Sequence, residues 1–450
     1  MYDIGIIGAG PAGYSAAIRA AQYGFSVVLF EKKDIGGTCL NRGCIPTKAM
    51  LHSVEVLETV KTSGKYGISA DNITYDYSKI LQRKDTITEK IKKSLTQLIC
   101  GYGIKIVNEE AQIISQTEIL TDSEAYECKN IIIATGSKPN KFQFEGFYPD
   151  DFVLDSDDIL KLESVPKNIL IVGSGAIGIE WARIFSGLDT KVSIIELAER
   201  LIPLADEEIS QRVERIFKRN RIQFFTSTSV ERIENNKVLL TNGKEIETDC
   251  ILLAAGRSPE LLNNDFSKTI QLDKYIKTDN NFKTNYDNIY AIGDVNGRSM
   301  LAHSAIHQAT EVIEHLINNA DSTFDRNKVP SVIYGSPEIA WIGKTEKQLT
   351  EENLSYKKSF FPLAALGKAY ADDKIEGFVK ILANEKEILG AHIIGEEASA
   401  MIQQVAIAIQ NKTSPKQISE VIFAHPTYSE GLYEAVLGLD NIALHLPQAK

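Results

Sequence analysis

The sequence predicts an α/β fold in which one strand, glycine turn and helix unit occurs twice, followed by a C-terminal α+β segment. Residues Gly8-Ala9-Gly10-Pro11-Ala12-Gly13 follow the apolar run Ile4 to Ile7 and open a helix beginning Tyr14-Ser15-Ala16-Ala17. Ile169-Leu170-Ile171-Val172 runs likewise into Gly173-Ser174-Gly175-Ala176-Ile177-Gly178. Each unit then reaches a second strand that ends in an acid, Ser26 to Phe30 before Glu31 and Lys191 to Ile195 before Glu196. The interval from first glycine to acid is identical in the two copies.

Each glycine has a separate task. Gly8 and Gly173 make the tight turn, Gly10 and Gly175 let backbone approach a pyrophosphate, and Gly13 and Gly178 let helix and strand pack closely. Pro11 suits the first helical turn, where its missing N–H costs little. Glu31 and Glu196 stand where a ribose hydroxyl would be accepted. A lone fingerprint is a weak signal, but context, acid and spacing agreeing twice imply two dinucleotides. A carboxylate at Glu196 would repel a 2′-phosphate while bonding a free 2′-hydroxyl, so the second unit is read as taking NAD rather than NADP.

Between the units lies Gly36-Gly37-Thr38-Cys39-Leu40-Asn41-Arg42-Gly43-Cys44-Ile45-Pro46-Thr47-Lys48. In a regular helix, thiols five positions apart would be about 8 to 9 Å apart at Cα and point away from each other, beyond the roughly 7 Å bridging limit. The backbone must therefore depart from a helix, and Asn41 and Gly43 are residue types that permit it. An arbitrary cytosolic pair of cysteines reads as unrelated buried residues. Beside a nucleotide fingerprint this pair reads instead as a redox disulfide next to a flavin. Arg42, between the thiols, could lower a thiolate pKa, meet substrate or face solvent.

Composition bounds the rest. The 450 residues are 43% hydrophobic and 24% charged, as in an ordinary globular chain of about three domains. Acidic residues (60) outnumber basic ones (49), and the net charge of -11 argues against a general nucleic-acid surface. No apolar run approaches the roughly 18 residues of a membrane span. The start, Met1-Tyr2-Asp3-Ile4, enters a strand pattern without a signal segment, so a cytoplasmic chain is expected. Of five cysteines, Cys100, Cys128 and Cys250 are expected to be buried apolar fillers. Towards the C-terminus, Ser331 to Tyr334, Phe378 to Leu382 and Ile388 to Ile394 read as strands and Ala398 to Gln410 as a helix.

Further motifs are the Ala134-Thr135-Gly136 turn, Tyr290-Ala291-Ile292-Gly293-Asp294, and Ala424-His425-Pro426-Thr427-Tyr428-Ser429-Glu430. With the cysteine pair and both fingerprints, they make the chain resemble the flavin-dependent pyridine nucleotide disulfide oxidoreductases, most closely the dihydrolipoamide dehydrogenase family. The resemblance spans nearly the whole length. It implies two Rossmann-like FAD- and NAD-binding domains with a C-terminal α+β dimerisation domain. The implied layout is an FAD segment over 1–145, an NAD domain over 146–265, a return to the FAD domain over 266–330 and a dimerisation domain over 331–450.

The resemblance also implies roles. Cys39 resembles the interchange thiol and Cys44 the thiol nearest the flavin, which forms its charge-transfer complex. Lys48 resembles the lysine near flavin N5, with Glu180 as its partner from the NAD segment. Asp294 resembles the carboxylate that binds flavin ribityl, while Ala111 and Ala302 fall where family members offer backbone to FAD. Gly136 belongs to the flavin-side turn, and Gly256 matches the turn closing over the nicotinamide cofactor. His425 resembles the catalytic acid/base reaching the partner subunit's disulfide, oriented by Glu430, with a cis peptide before Pro426.

The implied activity is NAD-linked oxidation of dihydrolipoyl groups through the Cys39-Cys44 disulfide and FAD. The implied partners are a second copy of the chain and a lipoyl-bearing protein of a 2-oxo acid dehydrogenase or glycine cleavage complex. A related NAD(P)H-dependent flavin reductase acting on a small disulfide is the alternative. The acid–base logic stands on its own, because thiol–disulfide exchange needs a thiolate, and an imidazole steadied by a carboxylate takes and returns that proton. His303, His307 and Glu311, four apart, are read as packing or surface residues rather than metal ligands. Lys344, Glu346 and Lys347 are read as solvated surface.

Overall fold

A computed structural model describes residues 1–447. In the first sheet, Tyr2–Ile7 runs parallel to Val27–Phe30 on one side and to Ala125–Ile133 on the other. Lys105–Val107 extends the sheet beyond Val27–Phe30. The distant strand Ile289–Ala291 returns to pair with the far half of Ala125–Ile133. Ile4, Ile6, Val28 and Leu29 are fully buried, which is why these strands are continuous apolar runs rather than alternating ones. Helix Pro11–Gln22 buries Ala12, Ala16, Ala17 and Ala20 and packs against helix Ala302–Asn318. Alanines on that stripe let the helix sit close, so its N-terminus is carried to the strand ends.

The second sheet repeats the plan with Gln223–Phe225, Lys191–Ile195, Asn168–Val172, Cys250–Leu253 and Val153–Leu154, all parallel. Helix Ala176–Gly187 follows Gly175 and buries Trp181 and Phe185 against it. Beside this sheet lies a smaller one of Glu245–Glu247, Lys237–Leu240, Val230–Glu234 and Glu145–Phe147.

The C-terminal part is a five-stranded antiparallel sheet ordered Ser331–Ile333, Glu338–Gly343, Ile388–Gly395, Phe378–Ala383, Lys357–Pro362. The three strands and the helix Ala398–Gln410 expected from sequence are all present. That helix and Glu430–Gly438 share one core with the sheet, built around Phe361, Ile393, Met401 and Tyr428. Each such fully buried apolar side chain contributes about 1.5–3 kcal/mol relative to exposure.

A charged cluster joins this sheet to the second nucleotide unit. Lys380, on a central strand and 2% exposed, donates to Asp206 (2.8 Å), Glu208 (2.6 Å) and Glu346 (2.7 Å). Asp206 also accepts from the backbone N–H of Glu346, and Lys358 reaches the same Glu346. The surface reading of Glu346 is therefore wrong: it is a structural acid between domains, while Lys347 is exposed as expected. Of the three remaining cysteines, Cys128 and Cys250 are buried, but Cys100 is exposed near the end of helix Tyr77–Gly101 and is no core filler.

Candidate active site

The glycine turns match the physical reasons given for them. Gly8 and Gly173 have φ of 101° and 103°, in the region that favours glycine. A Cβ on Gly13 would lie 1.8 Å from the Gly8 carbonyl oxygen, and one on Gly178 2.0 Å from that of Gly173, so the third glycine is required by helix–strand contact. Gly10 and Gly175 cap their helices without any side-chain bond, which leaves helix N–H groups free to meet a phosphate. Around Gly175 a Cβ would meet nothing within 4 Å.

The two acids do more than the fingerprint requires. Glu31 accepts from the backbone N–H groups of Ala9 and Lys33, both at 2.8 Å, and Glu196 accepts from those of Ser174 and Ala198, also both at 2.8 Å. Each carboxylate thus closes its glycine loop onto the strand end and keeps acceptor capacity for a ribose.

The helix expected to break between the cysteines does so at one residue. Gly37–Arg42 and Cys44–Lys61 are helical, and only Gly43 (φ −148°, ψ −109°) departs. Asn41 stays helical and its side-chain amide instead donates to the carbonyls of Ile35 and Gly37, so it secures the turn rather than bending it. The break brings the two thiols into hydrogen-bond contact. Their protonation is polarised. The bond from Cys39 holds Cys44 down to about 7, aided by Lys48 and opposed by burial and Glu180. The same bond, with burial, pushes Cys39 far above the usual thiol range. Arg42 takes no part, because its guanidinium pairs with Asp34 at 2.8 Å and Asp157 at 3.3 Å.

Lys48 lies one turn beyond Cys44 and holds both oxygens of Glu180 at 2.9 Å. Glu180 is 4% exposed and also accepts from the backbone N–H of Tyr334, whose ring lies 4.7 Å from the Lys48 ammonium. One cleft of about 1290 Å³ connects these groups. Its wall includes Gly8, Gly10 and Glu31 of the first fingerprint, Gly136, Asp294 and Ala302, and the site residues Cys39, Cys44, Lys48 and Glu180. Ala176 and Trp181 carry it into the second unit. Burial raises the Asp294 carboxyl, which accepts from Ser137 at 2.5 Å; Arg257 in turn donates to Ser137. That Ser137–Arg257 brace was invisible in sequence because its members are far apart in the chain and carry no spacing.

Other expected residues lie apart from this cleft wall. Ala111 is buried in the core near Val107 and Ile113. Gly173, Gly175, Gly178 and Glu196 belong to the second glycine turn and its helix and, like Gly256, do not line the main cleft. His425 is exposed just before helix Glu430–Gly438, with its Nδ1 2.8 Å from Glu430, and the His425-Pro426 bond is cis. Burial raises the Glu430 carboxyl, but bonds from His425 and the Thr427 N–H outweigh it and hold Glu430 below the usual range. One helical turn on, buried Glu434 holds His445 in a second imidazole–carboxylate pair at 2.8 Å, which sequence reasoning missed. His303 bonds the Pro330 carbonyl, and His307 pairs with Glu311, which also accepts from Ser322 and Thr323.

Two dinucleotide units converging on a polarised dithiol define a disulfide oxidoreductase that draws on a pyridine nucleotide. The comparisons agree. Residues 2–309 match the family model described as pyridine nucleotide-disulphide oxidoreductase, and residues 329–436 match that family's dimerisation domain. The chain belongs to this family. Within it, the chain stands among the dihydrolipoyl dehydrogenases: it is 37% identical to one from Chlamydia muridarum (100% of this chain, 99% of the relative) and 36% identical to one from Bacillus subtilis (98% and 99%).

Among solved structures, the HOCl-induced flavoprotein disulfide reductase RclA from Escherichia coli superposes with a TM-score of 0.87 at 26% identity, covering 97% of this chain and 99% of that one. LpdA from Mycobacterium tuberculosis (TM-score 0.90, 22% identity, 98% and 100% covered) shares the fold. FAD and NAD are the cofactors of this enzyme class. The residues present fit both groups, with two uncapped helix N-termini behind glycine turns, an acid closing each, and a cleft long enough to run from one fingerprint to the thiols. Among the described residues no helix is long and apolar enough to cross a membrane.

Proposed function

We propose that this chain oxidises protein-bound dihydrolipoyl groups to lipoyl with reduction of NAD. The observation that carries the reading is the Cys39–Cys44 pair, its two thiols shifted in opposite directions, in the wall of a cleft lined by residues of both nucleotide units. Residues 1–145 and 266–330 make the FAD domain, 146–265 the NAD domain and 331–450 the dimerisation domain; the last three residues lie outside those described.

In the oxidised enzyme Cys39 and Cys44 form a disulfide. His425 removes a proton from a dihydrolipoyl thiol, and the thiolate attacks the Cys39 sulfur, displacing Cys44 as a thiolate. The second dihydrolipoyl thiol then closes the lipoyl ring and releases Cys39, which takes a proton. The low pKa of Cys44 makes it the better leaving group, and the high pKa of Cys39 suits a sulfur that ends as a thiol. FAD, held along Gly8, Gly10, Glu31 and Asp294, would supply the two-electron carrier between the dithiol and NAD. Lys48 steadies the Cys44 thiolate, Glu180 fixes Lys48, Glu430 fixes the His425 tautomer, and Asp294, Ala302, Gly136 and Ala111 line or back the FAD site.

His425 stands outside the cleft that holds its own chain's cysteines, so a homodimer supplies it from the partner. The enzyme acts in the cytoplasm on a lipoyl-bearing subunit of a 2-oxo acid dehydrogenase or glycine cleavage complex. The test has two arms. Anaerobic mixing with dihydrolipoamide should give a red-shifted absorbance band and then NAD-dependent turnover. Inactive Cys39→Ser and His425→Gln proteins, co-refolded, should regain activity by placing one intact pair at a shared site. The likeness to RclA favours a second reading, a related NAD(P)H-driven flavin reductase of a small disulfide. NADPH-driven flavin reduction without a response to dihydrolipoamide would decide for it.

A further inference from the structure

The two nucleotide units differ in the residue that follows the first glycine, Ala9 in one and Ser174 in the other. In the first, Glu31 meets the glycine loop only through the backbone N–H of Ala9. In the second, the equivalent residue is Ser174, which is fully buried, and its hydroxyl donates to the same Glu196 oxygen at 2.7 Å as its N–H does at 2.8 Å. The hydroxyl oxygen also accepts from the Ile202 N–H at 3.1 Å. Ile202 has φ of 49°, a region a β-branched residue enters only when its surroundings hold it there. Ser174 thus ties three pieces together: the glycine loop, the strand-end acid and the loop that follows.

The consequence is for lone pairs and for charge. One Glu196 oxygen carries two bonds and the other one, from Ala198. The carboxylate cannot swing aside without breaking all three, and it keeps acceptor capacity beyond them. The following loop's arginine, Arg200, is committed to the Pro203 carbonyl at 2.9 Å and the Ser210 hydroxyl at 3.1 Å, so it does not offer itself to a 2′-phosphate.

We propose that Ser174 is a positioning residue for nucleotide selectivity: its hydroxyl locks Glu196 against the ribose so that NADP is refused. The proposal rests on the reading of the second unit as the NAD site. In Ser174→Ala the acid keeps its backbone bonds but gains freedom to turn away, so NAD loses a fixed acceptor and NADP meets a retreating charge. Ala9 occupies the equivalent place in the first unit, so alanine is compatible with this turn.

Calorimetric titration of the FAD-loaded, oxidised protein with NAD and with NADP needs no lipoyl substrate. The ratio of the NADP dissociation constant to that of NAD should fall about five- to tenfold in Ser174→Ala, the size of one lost hydrogen bond of ordinary net strength. Ser174→Cys, similar in size but a poor donor, should reproduce the fall. With dihydrolipoamide, KM for NAD should rise while kcat stays within about twofold, and FAD content should not change. An unchanged ratio, or equal weakening of both nucleotides, overturns the proposal. Wild-type protein that binds NAD selectively but does not oxidise dihydrolipoamide defeats the proposed activity and leaves the ratio to judge Ser174.

Discussion

Replacing Lys48 by methionine tests whether the site's electrostatics work as the geometry requires. Cys44 is held down to about 7, with Lys48 the cation that assists its Cys39 hydrogen bond. A cation within reach lowers an acid's pKa by about 1 to 3 units. Removing it, while uncovering the buried Glu180 carboxylate, should raise Cys44 by about 1 to 2 units. At pH 7 a group with pKa near 7 is about half ionised, so the thiolate fraction should drop to about 1–10%. Glu180→Gln makes the opposite change: it removes the one carboxylate that opposes the thiolate and leaves Lys48 in place over the Tyr334 ring. Cys44 should then ionise below pH 7.

The assay is the pH dependence of alkylation in the reduced protein, with Cys39 and Cys44 resolved by mass spectrometry. Cys39 should alkylate slowly throughout, since its thiol is pushed above the usual range. The midpoint for Cys44 should order as Glu180→Gln, wild type, Lys48→Met. A Lys48→Met midpoint equal to that of wild type, or a Glu180→Gln midpoint above it, would refute the assignment of Lys48 as the thiolate's counter-charge.

Lys380→Met strips the buried lysine that Asp206, Glu208 and Glu346 share and should lower unfolding stability by about 3–5 kcal/mol at pH 8, measured by urea denaturation. Despite burial, its acid partners raise the pKa of Lys380, so the wild-type contribution is complete below about pH 10 and lost only as alkaline solution deprotonates it. The deficit of the variant should shrink as the solution is acidified, because Glu208, pushed up by burial and by Asp206, takes its proton earlier than an ordinary carboxylate. Gly178→Ala, whose Cβ would meet the Gly173 carbonyl oxygen, should abolish NAD binding while the protein retains FAD. Gly13→Ala should do the reverse harm, giving protein purified without flavin.

What could be read in the sequence was whatever the physics writes as local spacing. Gly8 and Gly13, Gly173 and Gly178, the paired acids, and His425 with Glu430 are each fixed by one turn or one strand–turn–helix unit, so a short stretch carries the whole constraint. The Lys48–Glu180 pairing came from resemblance, since nothing local links the two positions. The misreadings share a cause. Glu346 looked like one surface charge among several because its partners, Asp206, Lys358 and Lys380, are brought to it only by the fold, Asp206 from the second nucleotide unit and the lysines from later strands. Arg42 had open alternatives until Asp34 and Asp157 were seen to take its guanidinium.

Ser174 shows the same limit inside a motif that was read. The fingerprint leaves its second position free, so a serine there carries no message in one dimension. Its meaning arises when the turn brings the hydroxyl between Glu196 and Ile202. Internal duplication supplies the missing comparison, because Ala9 and Ser174 occupy one position in two copies of one device. The bonds that the Ser174 hydroxyl adds fall at the copy that must tell a ribose hydroxyl from a phosphate.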